Sequence, residues 1–148
     1  PEGGHLVIAA DGTRPAWPPA TFARVLADVP CTGLGALRQR PEARWRRRDS
    51  DLADLVPLQL ALLRAAVESA MPGGLVAYVT CSPHRAETEE VVAQVVDEGE
   101  VEVVDVPALL PEVPDAARGP YLQLWPQRHG TDAMFCAILR RRRTAEPR

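Results

Sequence analysis

The amino-acid sequence predicts an α/β domain, on three observations. Short β-branched runs each stop at small or polar residues, and stretches with apolar residues at helical spacing lie between them. The composition, 46% hydrophobic and 25% charged, suits a globular chain, and 148 residues make about one domain with a buried core. No apolar run approaches the ~20 residues needed to cross a bilayer, and no signal peptide opens the sequence, so no membrane partner is expected.

Taken in order, His5 to Ala10 (HLVIAA) reads as a first strand that stops at Asp11-Gly12. Phe22 to Ala27 (FARVLA) reads as a second, stopping at Asp28. Asp51 to Val56 forms a helical turn before a helix from Pro57 to Ala70, where Leu60, Leu63 and Val67 fall on one face and Pro57 suits the first helical position. Met71-Pro72-Gly73-Gly74 ends that helix and releases a third strand, Leu75 to Thr80, which stops at Cys81-Ser82. A second helix runs from Arg85 to Asp97, with Val91, Val92, Val95 and Val96 on its apolar side. Glu87, Glu89 and Glu90 stand near its start, where the helix dipole favours them. Glu100 to Val106 reads as a strand, Leu109 to Gly119 as a Pro-rich connection, Tyr121 to Trp125 as extended chain, and Ala133 to Leu139 as the last strand. Residues 1–143 form one domain and 144–148 a tail, with a hairpin of the last strands closing one edge of the sheet. In an open parallel sheet ligands bind beyond the carboxyl ends of the strands, so Asp11, Asp28, Cys31 and Cys81 are expected to converge on one edge.

The net charge of −3 does not advertise a nucleic-acid binder, and the distribution is more informative than the total. All 17 basic residues are Arg. Arg38, Arg40, Arg44, Arg46, Arg47 and Arg48 crowd into one loop around Trp45, and Arg140 to Arg143 form a second run. Guanidinium groups pair with phosphates and Trp45 can stack on a base, although such runs are commonly just solvated surface. The three cysteines have no C-x-x-C spacing and the histidines no H-x-x-x-H spacing, so neither a disulfide framework nor a metal site is expected, and a reducing cytoplasm fits.

Two segments carry candidate chemistry. In Asp28-Val29-Pro30-Cys31, followed by Thr32-Gly33-Leu34-Gly35, a carboxylate ends a strand, Pro stiffens the turn, and the glycines let backbone approach a ligand. Alone, Cys31 reads as a buried structural thiol. In Thr80-Cys81-Ser82-Pro83 the thiol leaves the sheet ahead of a helix. Backbone N–H groups and the dipole, with His84 and Arg85 nearby, can favour thiolate there; the alternative is a strand terminus whose Cys packs inward. A cysteine hydrolase using Cys81 lacks an orienting Asn, because the sequence has none. Cys136, among apolar neighbours, reads as core.

Together these segments resemble the NOL1/NOP2/Sun (RsmB-like) family of RNA cytosine-C5 methyltransferases. The resemblance rests on D-G-T-R-P at 11–15, D-V-P-C-T-G-L-G-A-L-R at 28–38, P-E-A-R-W-R-R-R at 41–48, L-Q-L-A-L-L at 58–63, P-G-G-L-V-A-Y-V-T-C-S-P at 72–83 and H-G-T-D-A-M-F at 129–135. It implies a Rossmann-like methyltransferase fold that uses S-adenosyl-L-methionine (SAM). It further implies that Cys81 is the nucleophile adding to C6 of cytosine, and that Cys31 assists loss of the C5 proton and release of the product. Asp28 would hold the target base and contact the cofactor, and Asp11 would bind the cofactor's adenine end. Arg38, Arg40, Arg44, Trp45, Arg46 and Arg47 would lie along the RNA, ribosomal rather than transfer RNA.

The sequence departs from the family pattern in one respect. The Gly-rich SAM loop and the acidic ribose-binding residue of the family's first two strands are not in it, so His5 to Ala10 stands where the family has its third strand. The expected fold is therefore the C-terminal part of a methyltransferase catalytic domain. Its sheet would have a gap, exposed edges, and either rearranged pairing or self-association into a homo-oligomer. Weak or no activity of the chain by itself follows. A non-catalytic RNA-binding or scaffold module of the same fold is the alternative reading.

Overall fold

The computed structural model describes residues 4–143, apart from 47 and 49. In chain order the elements are β1 (Phe22–Asp28), α1 (Ala43–Arg46), α2 (Asp51–Ser69), β2 (Ala70–Thr80), α3 (Glu89–Asp97), β3 (Val101–Val104), α4 (Val106–Leu109), β4 (Ala117–Arg118), β5 (Tyr121–Gln123), α5 (Pro126–His129) and β6 (Phe135–Arg141). They build one mixed sheet in the order β1-β2-β6-β5-β4, with β3 also on β6. Only β1 and β2 run parallel, joined by the crossover through α2 as a parallel pair requires. The other pairings are antiparallel: the hairpin expected of the last strands is the β5–β6 pair, but β6 lies inside the sheet between β2 and β5, and the edge is formed by the short β4, which the sequence reads as connection.

Period-two alternation decides which face of the sheet is covered. Val76 and Tyr78 of β2 and Phe135, Ala137 and Leu139 of β6 are fully buried. They pack under Leu60, Leu63 and Val67 of α2 and Val91, Val92 and Val95 of α3. On the opposite face Cys136 and Ile138 meet a smaller cluster of Val106, Ala116 and Leu122, so Cys136 is the core thiol that the sequence suggested.

Three expectations are corrected. Residues 5–10 form no strand: Leu6 and Val7 are 83% and 87% exposed, and the outer edge of β1 has no strand neighbour among the described residues. A β-branched run acquires strand structure only against a partner, and none is offered here. The pairing is therefore not rearranged, and the edge is left open. The first long helix starts at Asp51 rather than Pro57, and Pro57 sits inside it. Pro lacks one backbone donor, but the buried face of α2 and the carboxylates of Asp51 and Asp54 in its first turn favour a continuous helix. Finally, Glu100 to Val106 is shorter as a strand, because Asp105 caps α4 by accepting a hydrogen bond from the Ala108 N–H.

Candidate active site

The paired ends of β1 and β2 bring two distant segments together. Asp28 lies opposite Val79, and the Val29 N–H donates to the Val79 carbonyl at 3.2 Å, so the chain leaves both strands at the same level. Beyond that level the Sγ atoms of Cys31 and Cys81 are 3.3 Å apart, although 50 positions separate them in sequence. The loop after Cys31 is bound to the loop that carries Cys81. The Gly35 N–H donates to the Cys81 carbonyl at 2.9 Å, and the Ala133 N–H donates to the Gly35 carbonyl at 2.9 Å. A Cβ on residue 35 would overlap the Ala133 carbonyl oxygen and stand 2.8 Å from that of Cys81. Gly35 is thus required by protein backbone, not by a ligand's approach as its place in the sequence suggested.

The two thiols are unequal. The Cys31 S–H, as donor, favours the anion on Cys81, and this hydrogen bond is the main reason the Cys81 thiol is brought down to about 7. Burial and the carboxylates of Asp28 and Asp132 oppose it. The same contact, then burial, pushes the Cys31 thiol far up. Of the two, Cys81 is therefore the thiol that ionises first, while Cys31 keeps its proton. The cations expected to do this work are engaged elsewhere. His84 Nδ1 accepts from the Ala86 N–H at 3.2 Å, and Arg85 pairs with Glu89 at 3.2 Å. Nor does α3 begin at the cysteine: a 3₁₀ turn, Arg85–Glu87, intervenes.

Of the two candidate cofactor carboxylates, Asp28 is at the site and Asp11 is beside it. Asp28 and Gly12 both line a cleft of ≈ 220 Å³ whose walls include Trp17, Val25, Leu62 and Ala66. Trp17 is held there by its Nε1–H, which donates to Ser69 Oγ at 2.9 Å. Asp11 ends no strand. Its carboxylate accepts from the Thr13 N–H at 2.9 Å and the Thr13 hydroxyl at 2.8 Å, which hold it below the usual carboxylate range. An apolar wall with a carboxylate at its rim fits a ring bearing amino or hydroxyl donors. Among the described residues, no cationic side chain lines the cleft to receive the carboxylate of an amino-acid moiety. The described residues thus fit one part of a SAM molecule, not the whole.

The basic loop lies next to this centre. Arg38 approaches Asp132 at 3.6 Å, and Gln39 Nε2 donates to Asp132 at 2.9 Å, which ties the loop's start to the segment beside Cys81. Arg40, Arg44 and Arg46 are exposed, and Trp45, 84% exposed, belongs to the surface and not the core. Arg47 lies outside the described residues, as does the tail 144–148. The second Arg run is remote: Arg140 pairs with Leu75 at the opening of the regular part of β2, the opposite end from Thr80 and Cys81.

Two site residues carry no role in the sequence reading. Asp132 falls within the segment H-G-T-D-A-M-F, which attracted notice as a run rather than residue by residue. Glu87 reads as a dipole-favoured acid at a helix start, yet it is completely buried between the two cysteine loops. A hydroxyl residue directly after each cysteine, Thr32 and Ser82, is the sequence signal that points to it.

The family described as 16S rRNA methyltransferase RsmB/F matches residues 4–140. The chain belongs to this family. A Mycobacterium tuberculosis protein named as a methyltransferase is 56% identical over 121 residues, which make up 81% of this chain and 26% of that protein. Ribosomal RNA small subunit methyltransferase B of Erwinia tasmaniensis is 36% identical over 135 residues, covering 90% of this chain and 30% of the relative. The chain thus spans between a quarter and a third of the length of these curated RsmB/F relatives. Among solved structures, a methyltransferase homologue from Pyrococcus horikoshii superimposes with a TM-score of 0.67 at 27% identity, over 82% of this chain and 40% of that one. NSun6 from the same organism, crystallised with SFG, also gives 0.67, at 25% identity over 80% of this chain and 30% of that one. The mixed sheet with its parallel β1–β2 pair is accordingly a portion of the Rossmann-like methyltransferase fold. RsmB/Sun methyltransferases are SAM-dependent, and SFG is a SAM analogue.

Proposed function

We propose that this chain carries the catalytic cysteines of a SAM-dependent RNA cytosine-5 methyltransferase acting on ribosomal RNA. The observation that carries this reading is the 3.3 Å contact between Cys31 and Cys81 at the paired strand ends, an arrangement that favours ionisation of Cys81 over Cys31. Covalent addition to a pyrimidine needs an activated nucleophile, and a thiol of lowered pKa is one.

In the proposed reaction the Cys81 thiolate adds to C6 of a cytosine that has been drawn out of its stack, and the C5=C6 electron pair moves to C5. SAM supplies the methyl group that C5 takes. Once Cys81 is held in the thioether, Cys31 gives its proton to solvent and its thiolate accepts the C5 proton; the electron pair of that C–H bond reforms the C5=C6 double bond as the C6–S bond breaks and returns the thiolate to Cys81. Asp28, at the rim of the cleft and close enough to oppose the Cys81 anion, serves both the target base and the cofactor. Asp11 contributes through the turn that places Gly12 in the cleft wall. Arg38, Arg40, Arg44, Arg46, Arg47 and Trp45 follow the RNA backbone and stack on an unpaired base. Three free thiols suit a reducing compartment, so the site of action is the cytoplasm.

The test is methyl transfer from labelled SAM to ribosomal RNA, with SAM supplied far above the micromolar range because the cleft fits only part of it. Cys81→Ala should abolish it, and Cys31→Ala should accumulate a covalent protein–RNA adduct that migrates slowly in a denaturing gel. Normal product release in Cys31→Ala would overturn that residue's role, and retained transfer in Cys81→Ala would overturn the reaction. The one-sided cofactor cleft favours a second reading, a non-catalytic RNA-binding module, which predicts RNA binding with neither transfer nor adduct in any variant.

A further inference from the structure

Glu87 is the most heavily bonded side chain next to the site, and the proposed chemistry leaves it unused. It is 0% exposed. Its Oε1 accepts from the Thr32 N–H at 2.7 Å and from Gln59 Nε2 at 3.0 Å. Its Oε2 accepts from the Thr32 and Ser82 hydroxyls, each at 2.6 Å. The partners are significant because of their neighbours. Thr32 follows Cys31, Ser82 follows Cys81, and Gln59 Nε2 also donates to the carbonyl of Pro30 at 2.8 Å, just before Cys31. The backbone of Glu87 is fixed as well, since the Tyr78 hydroxyl donates to its carbonyl at 2.7 Å and Tyr78 lies on β2, three residues before Cys81. One residue therefore ties both cysteine loops and α2 together through its carboxylate, and β2 through its backbone carbonyl.

We infer that Glu87 is a positioning residue for the cysteine pair: by bridging Thr32 and Ser82 it sets the distance between Cys31 and Cys81. A buried carboxylate is costly unless its oxygens are satisfied, and four donors meet the capacity of two carboxylate oxygens. Those donors come from the residues whose placement decides whether the thiols touch. A hydrogen bond between sulfurs is short-ranged, so a small opening between the loops releases it and with it the proton asymmetry. The inference rests on reading Cys81 as the nucleophile, but thiol reactivity tests it without methyl transfer. Failure of the proposed reaction and failure of this role are thus distinguishable.

The experiment measures two quantities on the 148-residue chain: the pH midpoint of iodoacetamide alkylation at Cys81, read by peptide mass spectrometry, and the rate at which oxidised glutathione forms the Cys31–Cys81 disulfide. Charged and titratable groups facing Cys81 are Cys31, Asp28 and Asp132, the last held by Arg38; Glu87 faces the pair from behind Cys31. Glu87→Asp is one methylene too short to reach both loops. It should raise the alkylation midpoint by about one unit, a roughly fivefold fall in thiolate at neutral pH, and slow disulfide formation. Glu87→Gln keeps an acceptor for the two N–H donors and turns its amide toward two hydroxyls that can accept, so it should restore both readouts. Thr32→Val removes only the hydroxyl donor, should shift both readouts in the same sense as Glu87→Asp, and decides alone if Glu87→Asp does not fold. An unchanged midpoint and disulfide rate with a lowered melting temperature would mean that Glu87 only stabilises the fold, and would overturn the inference.

Discussion

Gly35 joins the Cys31 loop to Cys81 through a single backbone hydrogen bond, its N–H donating to the Cys81 carbonyl at 2.9 Å. The carbonyl of the same residue receives the Ala133 N–H, so three chain segments meet where a side chain has no room. Gly35→Ala should therefore separate the loops or distort them. The expected loss is about 3 kcal/mol, the upper part of the overpacking range, because the obstruction is backbone and cannot rotate away. Urea denaturation of the variant checks this. Gly33→Ala is the control: its open surroundings leave only the cost of its left-handed φ of 71°. Equal losses in the two variants would mean that close packing at residue 35 adds nothing.

The pH dependence of thiol reactivity follows from the direction of the Cys31–Cys81 hydrogen bond. Cys81 is brought down to about 7, so its alkylation rate should climb through neutral pH, while Cys31 remains protonated and slow. Removing the donor in Cys31→Ala takes away the contribution that stabilises the anion, whereas the opposing carboxylates Asp28 and Asp132 remain. The midpoint must then rise, to the ordinary thiol value of about 8.5 or above. Site-resolved alkylation between neutral and alkaline pH measures it, and an unchanged midpoint would place the cause elsewhere.

How much of this was legible in the sequence depends on whether the signal was local. Leu60, Leu63 and Val67, and the strand centred on Ala137, declare their faces by period alone, and the structure buries them accordingly. The convergence of Asp28, Cys31 and Cys81 was legible because each lies at or within three residues of the end of a strand that can be read from its own residues. His5 to Ala10 misled for the complementary reason: strand propensity is intrinsic, but pairing belongs to the neighbour. Pro57 misled because tertiary burial along α2 outweighs one lost backbone bond. Glu87 was hidden because its four donors come from three separate segments: the hydroxyls after the two cysteines are a faint local signal, but only the fold brings Thr32, Gln59 and Ser82 to one carboxylate.

The exposed face of the Arg loop gives a prediction for RNA affinity. Arg40, Arg44 and Arg46 are exposed on one short segment, so substituting two of them by Ala should weaken binding to every RNA sequence to a similar extent. On single-stranded RNA the slope of log affinity against log salt should also fall by about 0.7 for each Arg–phosphate pair removed. Trp45→Ala should weaken binding by roughly 1–3 kcal/mol with little change in that slope, because stacking releases no counterions. Filter binding over a salt series separates the two effects.

The open edge of β1 should govern how this chain associates. Its ladder groups face no neighbouring strand among the described residues, and Leu26 next to it is 69% exposed, as are the apolar side chains of Leu6 and Val7. Unpaired strand edges with apolar flanks recruit further strands, so sedimentation should show a concentration-dependent dimer or higher species. Leu26→Lys places a charge on that edge strand without touching the buried core. It should restore the monomer while leaving stability within about 0.5 kcal/mol of the unsubstituted chain. A wild-type chain that stays monomeric at high concentration would mean that the edge is protected by its own twist or by residues 4–10 lying over it.

The cleft beside Asp28 yields the prediction that separates catalytic competence from catalytic geometry. Its apolar walls and single carboxylate fit a ring with donors, but among the described residues no cation lines it to receive a carboxylate. Calorimetric titration of SAM into the 148-residue chain should accordingly show no saturation in the low micromolar range. Adenosine, which lacks the amino-acid moiety, should bind about as weakly, because the part that SAM adds has no partner. Saturable, tight binding of SAM that Asp28→Ala removes would instead show a working site, assembled across two copies of the chain if it appears together with the dimer. In either case the thiol pair is unaffected: Cys31 and Cys81 are placed by β1, β2, Gly35 and the hydrogen bonds around Glu87, none of which depends on the cofactor.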